Sequence, residues 1–187
     1  MSLILWNIAG LVVIAVFAVV AFAALKPDTF EVKREAVIGA PPERIFAVIN
    51  DFAQWPKWSP WQDIDPDMRQ TFKGPSSGVG AIAEWEGNKM VGAGRTEIVD
   101  VLPPTRIGMR LTMLRPMKAV NEVEYTLRPQ SEGTLVTWAM RGNNNLMGKI
   151  FATFVDCDKM VGKDFERGLA NLKRLVEGQA NPVARAS

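Results

Sequence analysis

Histidine is missing from all 187 residues, and Cys157 and Tyr125 are each the single residue of their kind. Without His there is no Ser-His-Asp or Cys-His nucleophile pair, no His-ligated zinc and no imidazole acid–base catalysis. One Cys closes no intrachain disulfide and builds no Cys-rich metal site, so neither metal nor cofactor is expected, and the redox compartment stays open. An excess of one charge is missing too. The chain has 22 Lys and Arg against 20 Asp and Glu, net +2, which excludes a strongly basic nucleic-acid binder. A hydrophobic fraction of 48% excludes disorder. Activity therefore rests on carboxylates, Lys, Arg, Tyr125 or hydroxyls, or on binding alone.

Charge is wholly absent from the start of the chain. Leu3 to Leu25 is 23 residues whose only polar side chain is Asn7, and Lys26-Pro27 ends the run. At 1.5 Å per residue such a helix reaches roughly 35 Å, against a hydrocarbon core of about 30 Å. Trp6 sits near one end, where interfacial aromatics gather. Ala21-Phe22-Ala23 resembles a cleavage site, but no basic residue precedes the run, and the run is long for a signal peptide. The expectation is an uncleaved single-pass membrane anchor over residues 1–25, a globular domain over 26–178 and a disordered tail over 179–187. Lys26, Lys33 and Arg34 follow the anchor. They lean toward a cytoplasmic domain by the positive-inside rule, though three charges leave the side open.

Within the domain, Phe30 to Gly39 alternates as a strand, with Val32, Ala36 and Ile38 on one face. Pro41-Pro42-Glu43 then opens a helix through Ile45, Phe46 and Ile49. Repeated Pro between Asp51 and Trp61 allows only a short helix and a structured loop. Strand-like segments follow at Met68–Lys73, Gly80–Glu86, Val91–Val101, Thr105–Leu114, Ala119–Arg128 and Thr134–Arg141. In Val91–Val101 the pairs Arg95, Glu97 and Thr96, Ile98 compete for the inner face. Apolar and charged residues alternate in the later strands, which marks an antiparallel sheet wet on one side. Arg110 is expected opposite Glu124 as a solvated cross-strand pair. From Met147 to Glu177 the apolar period becomes helical, giving one helix of about 45 Å. The fold class is α+β: a seven-stranded antiparallel sheet, two short helices after its first strand, and a long C-terminal helix in its grip.

Several motifs occur in this order. They are Ile38-x-Ala40-Pro41-Pro42-Glu43-x-Ile45-Phe46, Asp51-Phe52-x-x-Trp55-Pro56-x-Trp58-Ser59-Pro60-Trp61, Gly78-Val79-Gly80-Ala81 with Glu84-Trp85-Glu86-Gly87, Pro103-Pro104-x-Arg106-Ile107, Gly133-Thr134-x-Val136-Thr137-Trp138 and Gly162-Lys163-Asp164-Phe165-x-x-Gly168-Leu169-x-x-Leu172. Together they resemble the SRPBCC superfamily, also called START-like or Bet v 1-like, and within it the polyketide cyclase/dehydrase-type bacterial proteins. The resemblance covers about residues 30–178 and implies a helix-grip fold with a hydrophobic cavity between sheet and long helix. It does not specify a reaction, since members carry lipids, bind hydrophobic metabolites, cyclise polyketides or bind proteins. Gly78-Val79-Gly80-Ala81 is not a dinucleotide loop, because no helix opens behind it.

The cavity so implied would be lined by Phe72, Trp85, Met109, Leu111, Val123, Tyr125, Trp138, Met140, Phe151 and Phe154, which equally suit a filled core. Asp158 falls within or beside the helical stripe. An inward carboxylate needs a partner and could orient a polar ligand head or act as acid or base. At the stripe edge it would instead pair with an Arg or Lys near the cavity mouth. Trp55, Trp58 and Trp61 are expected as a packing cluster at one sheet end, or else as a ligand gate or membrane rim. The function expected is membrane-anchored binding of a lipid-like hydrophobic or amphipathic small molecule, with no catalytic residue assigned and no nucleic acid bound. The alternatives are a cyclase/dehydrase-like enzyme using Asp158 and Tyr125, or a protein-interaction module with an unknown partner. An Asp158–Tyr125 hydrogen bond would favour the enzyme, a wide cavity the binder, and a filled core with an exposed apolar patch the module.

Overall fold

The computed structural model describes residues 2–144 and 146–180; within these, the side chains of 2–5, 8, 9, 12, 16, 154, 179 and 180 lie outside the described set. The uncharged leader forms helix α1, Ser2–Ala24. Its exposed side chains include Trp6, Leu11, Val13, Ile14, Phe17 and Phe22. Among the described residues no helix is long and apolar enough to cross a membrane.

The domain follows the expected order: β1 Thr29–Ile38, α2 Pro42–Ile49, a 3-10 helix at Phe52–Lys57, α3 Pro60–Ile64, then β2 Arg69–Lys73, β3 Ile82–Glu86, β4 Ala93–Leu102, β5 Arg106–Arg115, β6 Ala119–Gln130 and β7 Gly133–Asn143. The seven strands form one sheet in the order β1-β7-β6-β5-β4-β3-β2, and every pairing is antiparallel. Pro42 starts α2, where its missing N–H costs nothing. Asp51 caps the 3-10 helix, its Oδ1 accepting from Ala53 N at 2.9 Å. Gly133, at φ +130°, turns β6 into β7, and its missing Cβ leaves room for the Ile38 carbonyl oxygen.

Three expectations about the elements change. The long helix is two helices, α4 Leu146–Phe154 and α5 Cys157–Ala180. The break falls at Asp156, whose Oδ1 accepts from Lys159 N at 3.0 Å and so starts a new helix. Helix α5 also runs two residues into the expected tail; residues 181–187 lie outside the described residues. Finally, Arg110 is opposite Glu122, not Glu124. Glu124 stands across from Gly108 and pairs with Arg106 at 3.5 Å and Arg141 at 3.8 Å.

Helix α5 packs beside β1, and its Phe165, Leu169, Leu172 and Val176 belong to one buried core with Ile98, Ile107, Val136 and Trp138. The ambiguity in β4 resolves to Thr96 and Ile98 inward. Helix α5 is tied at both ends, by Arg34 near its start and by Glu177, which accepts from Gly39 N at 2.7 Å, near its end. Helix α4 packs beside α1.

Candidate functional site

Cross-strand register brings the expected inward residues of the central strands together. Met109 faces Val123 and Val123 faces Met140, while Tyr125 faces Trp138. All five are buried, at 0–7% exposure, so the space between sheet and α5 is filled around them. Trp138 stacks on Phe165 of α5 with centroids 4.0 Å apart and planes at 8°. Gly168 permits that approach, since a Cβ there would lie 2.7 Å from the Trp138 ring. The Pro-rich loop delivers Trp58 edge-on to Trp138 at 5.9 Å and to Tyr125 at 6.3 Å. Trp61 meets Trp138 edge-on at 5.8 Å. The three loop tryptophans therefore form a packing cluster closed over the sheet.

Three polar atoms of this cluster have no partner among the described residues. Trp58 Nε1, Trp138 Nε1 and Tyr125 Oη, and outside the cluster Asn50 Oδ1, are buried and accept or donate no hydrogen bond. Trp55 shows the contrast, its Nε1 donating to the Ile49 carbonyl at 3.0 Å. An unpaired buried polar group costs about 1–3 kcal/mol. The large majority of buried side-chain polar atoms in native proteins are satisfied. Burial pushes the Tyr125 hydroxyl well above its ordinary value of 10.

The remaining expected residues lie away from this cluster. Phe72 shares the inner face with its partner Ala83, but on edge strand β2 nothing covers it and it is 46% exposed. Phe151 is 39% exposed on α4, which packs beside α1. The side chain of Phe154 lies outside the described residues. Trp85 and Leu111 are half-buried; Trp85 packs where a Cβ on Gly94 would lie 2.6 Å from its ring.

Asp158 is not inside. Its side chain is 56% exposed in the first turn of α5 and is held by Arg34, with Nη1 to Oδ1 at 3.0 Å and Nη2 to Oδ2 at 3.1 Å. Arg34 is the residue that sequence reasoning missed. It sits between Val32 and Ala36 on the inner face of β1, opposite Trp138, so alternation alone would have found it. Its Nε also donates to Glu166 at 2.8 Å. Asp158, Gly162 and Glu166 form one row on α5 at four-residue spacing, and the guanidinium occupies the space that a Cβ on Gly162 would need. The Asp158 and Glu166 carboxylates hold the Arg34 guanidinium above its usual range. Asp158 and Tyr125 make no hydrogen bond to each other.

Two surface depressions are described. One of about 500 Å³ is lined by Lys26, Ala152, Thr153, Val155, Asp156, Cys157 and Asp158. The other, of about 550 Å³, lies around Gly39 and Gly133 at the opposite end of the sheet. Neither opens onto the aromatic cluster. Among the described residues no group of three or more His, Cys, Asp or Glu is placed to hold a metal ion.

Residues 29–177 match the family described as polyketide cyclase/dehydrase and lipid transport. The chain belongs to this family. The match spans the whole sheet and α5 almost to its end, which bears out the resemblance read from the motifs. No curated protein matches the chain. Solved structures show the same fold. Protein CV1439 from Chromobacterium violaceum is 19% identical, with TM-score 0.58 over 81% of this chain and 99% of that one. The Aha1 dimer from Colwellia psychrerythraea is 16% identical, with TM-score 0.58 over 79% and 96%. The di-domain ARO/CYC StfQ of the steffimycin biosynthetic pathway is 10% identical, with TM-score 0.59 over 82% of this chain and 52% of that one. At these identities the likeness is one of fold.

Proposed function

We propose that the protein binds a hydrophobic or amphipathic, lipid-like small molecule between the sheet and α5, and that α1 holds the domain at a membrane. The observation that carries the binding reading is the set of unpaired polar atoms, Trp58 Nε1, Trp138 Nε1 and Tyr125 Oη, in a buried aromatic cluster. A guest with an apolar body and a carbonyl or carboxyl head would give the two indole N–H groups an acceptor and the phenol a partner. Entry requires the Trp55–Trp61 segment, which spans the end of the 3-10 helix and the start of α3, to lift from Trp138. The anchor reading rests on the 23-residue uncharged run and the exposed apolar side chains of α1.

The family description supports a second reading, a cyclase/dehydrase-like reaction on the same guest with Tyr125 as the polar actor. The Asp158–Tyr125 pair that would make an acid–base couple is not formed, which puts binding before catalysis. The filled core and the exposed apolar side chains at one sheet end favour the third reading, a protein-interaction module, so a guest would have to displace part of the aromatic packing. Full-length protein in detergent is tested by native mass spectrometry and by fatty-acid titration of tryptophan fluorescence. A co-purifying acyl species, or saturable quenching weakened by Trp138→Phe and Tyr125→Phe, is expected. No bound species and no saturable response would refute the proposal.

A further inference from the structure

One end of the sheet differs from the other. At one end the register pairs Thr29 with Asn143, Asn121 with Gly142, Ala119 with Met113, Ala93 with Arg115 and with Glu86, and Glu86 with Arg69. This is the end where α1 joins β1, where the β3–β4 and β5–β6 turns lie, and where α4 leaves β7. It exposes Met90 at 82% in the first turn, Leu114 and Met117 at the second, and Leu146, Met147 and Phe151 on α4. Lys89, next to Met90, and Lys118, next to Met117, are exposed and form no ion pair among the described residues. The junction is firmly held. Lys149 Nζ meets Asp28 Oδ1 at 2.5 Å, Asn144 N donates to the Asp28 carbonyl at 2.7 Å, and Lys26 Nζ donates to the Ala152 carbonyl at 2.5 Å. The apolar surface of α1 thus continues into the apolar surface of α4, and the two helices pack together.

We infer that this end of the domain is a docking surface for a phospholipid bilayer carrying anionic lipids, with the β3–β4 turn, the β5–β6 turn and α4 resting on it. The inference rests on the proposal that α1 is an anchor. Three observations single out the bilayer as occupant. The apolar residues sit on three separate elements at the end where the leader emerges. They are flexible, mostly Met and Leu side chains that a fluid apolar phase accommodates. Two lysines without ion pairs among the described residues, Lys89 beside Met90 and Lys118 beside Met117, stand at the two turns where headgroup contacts are expected. A short, ion-paired junction then keeps the domain close to the surface from which α1 emerges.

The test uses full-length protein in mixed phosphatidylcholine–phosphatidylglycerol vesicles. With Cys157→Ser as background, an environment-sensitive fluorophore is attached at Met117→Cys, at Met147→Cys, and at Ser131→Cys in the far β6–β7 turn. Vesicle flotation is read alongside quenching by doxyl-labelled lipid. Flotation with a blue shift and quenching at 117 and 147, but not at 131, supports the inference. Flotation with no more quenching at 117 and 147 than at 131 overturns it while α1 stands as an anchor. Labels that are shielded yet unquenched, in a chain that cross-links to a second copy, overturn it in favour of a dimer contact. Failure to float removes both the anchor and the docking surface.

Discussion

Replacing Tyr125 by Phe removes a single oxygen from the centre of the core. The ring stays between Trp58 and Trp138, and no hydrogen bond is lost because the hydroxyl has none. Relief of an unpaired buried polar group is worth about 1–3 kcal/mol. The void left by one oxygen costs about 0.3 kcal/mol at about 24 cal/mol per Å³. Guest-free Tyr125→Phe should therefore be more stable than wild type by about 0.7–2.7 kcal/mol, a rise of about 2–10 °C in Tm for a domain of this size. The pH dependence carries a second sign. Burial holds the hydroxyl well above 10, whereas the unfolded chain ionises near 10. Below pH 10 both states keep the proton; above it only the unfolded state releases one, so wild-type stability falls as pH climbs. At pH 11 that loss reaches about 1.4 kcal/mol, and it is absent from Tyr125→Phe. Urea unfolding of delipidated protein in detergent, followed by tryptophan emission at pH 8 and pH 11, measures both differences. A variant less stable than wild type at pH 8, or one that keeps pace with wild type at pH 11, would refute the reasoning by revealing a partner for the hydroxyl.

Asp158→Asn should cost no more than about 1 kcal/mol, the range of exposed ion pairs, and should leave fatty-acid binding unchanged in the fluorescence titration. Gly162→Ala places a Cβ 1.9 Å from Arg34 Nη2, so it should displace the guanidinium from both carboxylates and lower Tm. In an Arg34→Ala background the same change should instead stabilise by up to about 1 kcal/mol through helix propensity, and a double-mutant cycle by thermal melt reads the reversal of sign. The Lys159 backbone N–H holds the Asp156 carboxyl below its usual range. Its contribution is therefore full above about pH 4 and lost as pH falls further, and Asp156→Ala should raise amide exchange at the start of α5 at pH 7 but not at pH 2.5. Carbonate extraction with N-terminal sequencing should recover an uncleaved chain in the membrane fraction; a mature chain starting near Ala24 contradicts the anchor.

The strands were legible because period-two alternation and Gly or Pro turns mark a half-wet antiparallel sheet. The same alternation placed Met109, Val123, Tyr125, Trp138 and Met140 inward. What escaped was set by neighbours in space. Phe72 has the right parity, but its strand lies at the sheet edge. Phe151 and Phe154 carry the right helical period, but one local cap at Asp156 separates their helix from the one that the sheet grips. Arg34 was passed over as a charge in an apolar series, although its parity is that of Val32 and Ala36. Its partners, more than a hundred residues away, leave no local trace. That the indole and phenol groups go unpaired is likewise a property of packing, which no spacing records.

The join between leader and sheet also has a mechanical meaning. Helix α1 runs into β1 within a few residues, and β1 pairs with β7 over the full span Thr29–Ile38. Tension directed along β1 from a drifting or curving membrane would load those rungs side by side, in shear, rather than peel them one at a time. The Asp28–Lys149 contact would share the first part of that load with α4. A chain attached at its other terminus would pull on α5, which hydrogen-bonded rungs do not secure, and would draw the gripped helix out of its groove. With α1 as the tether, the strain would fall on the element best able to bear it.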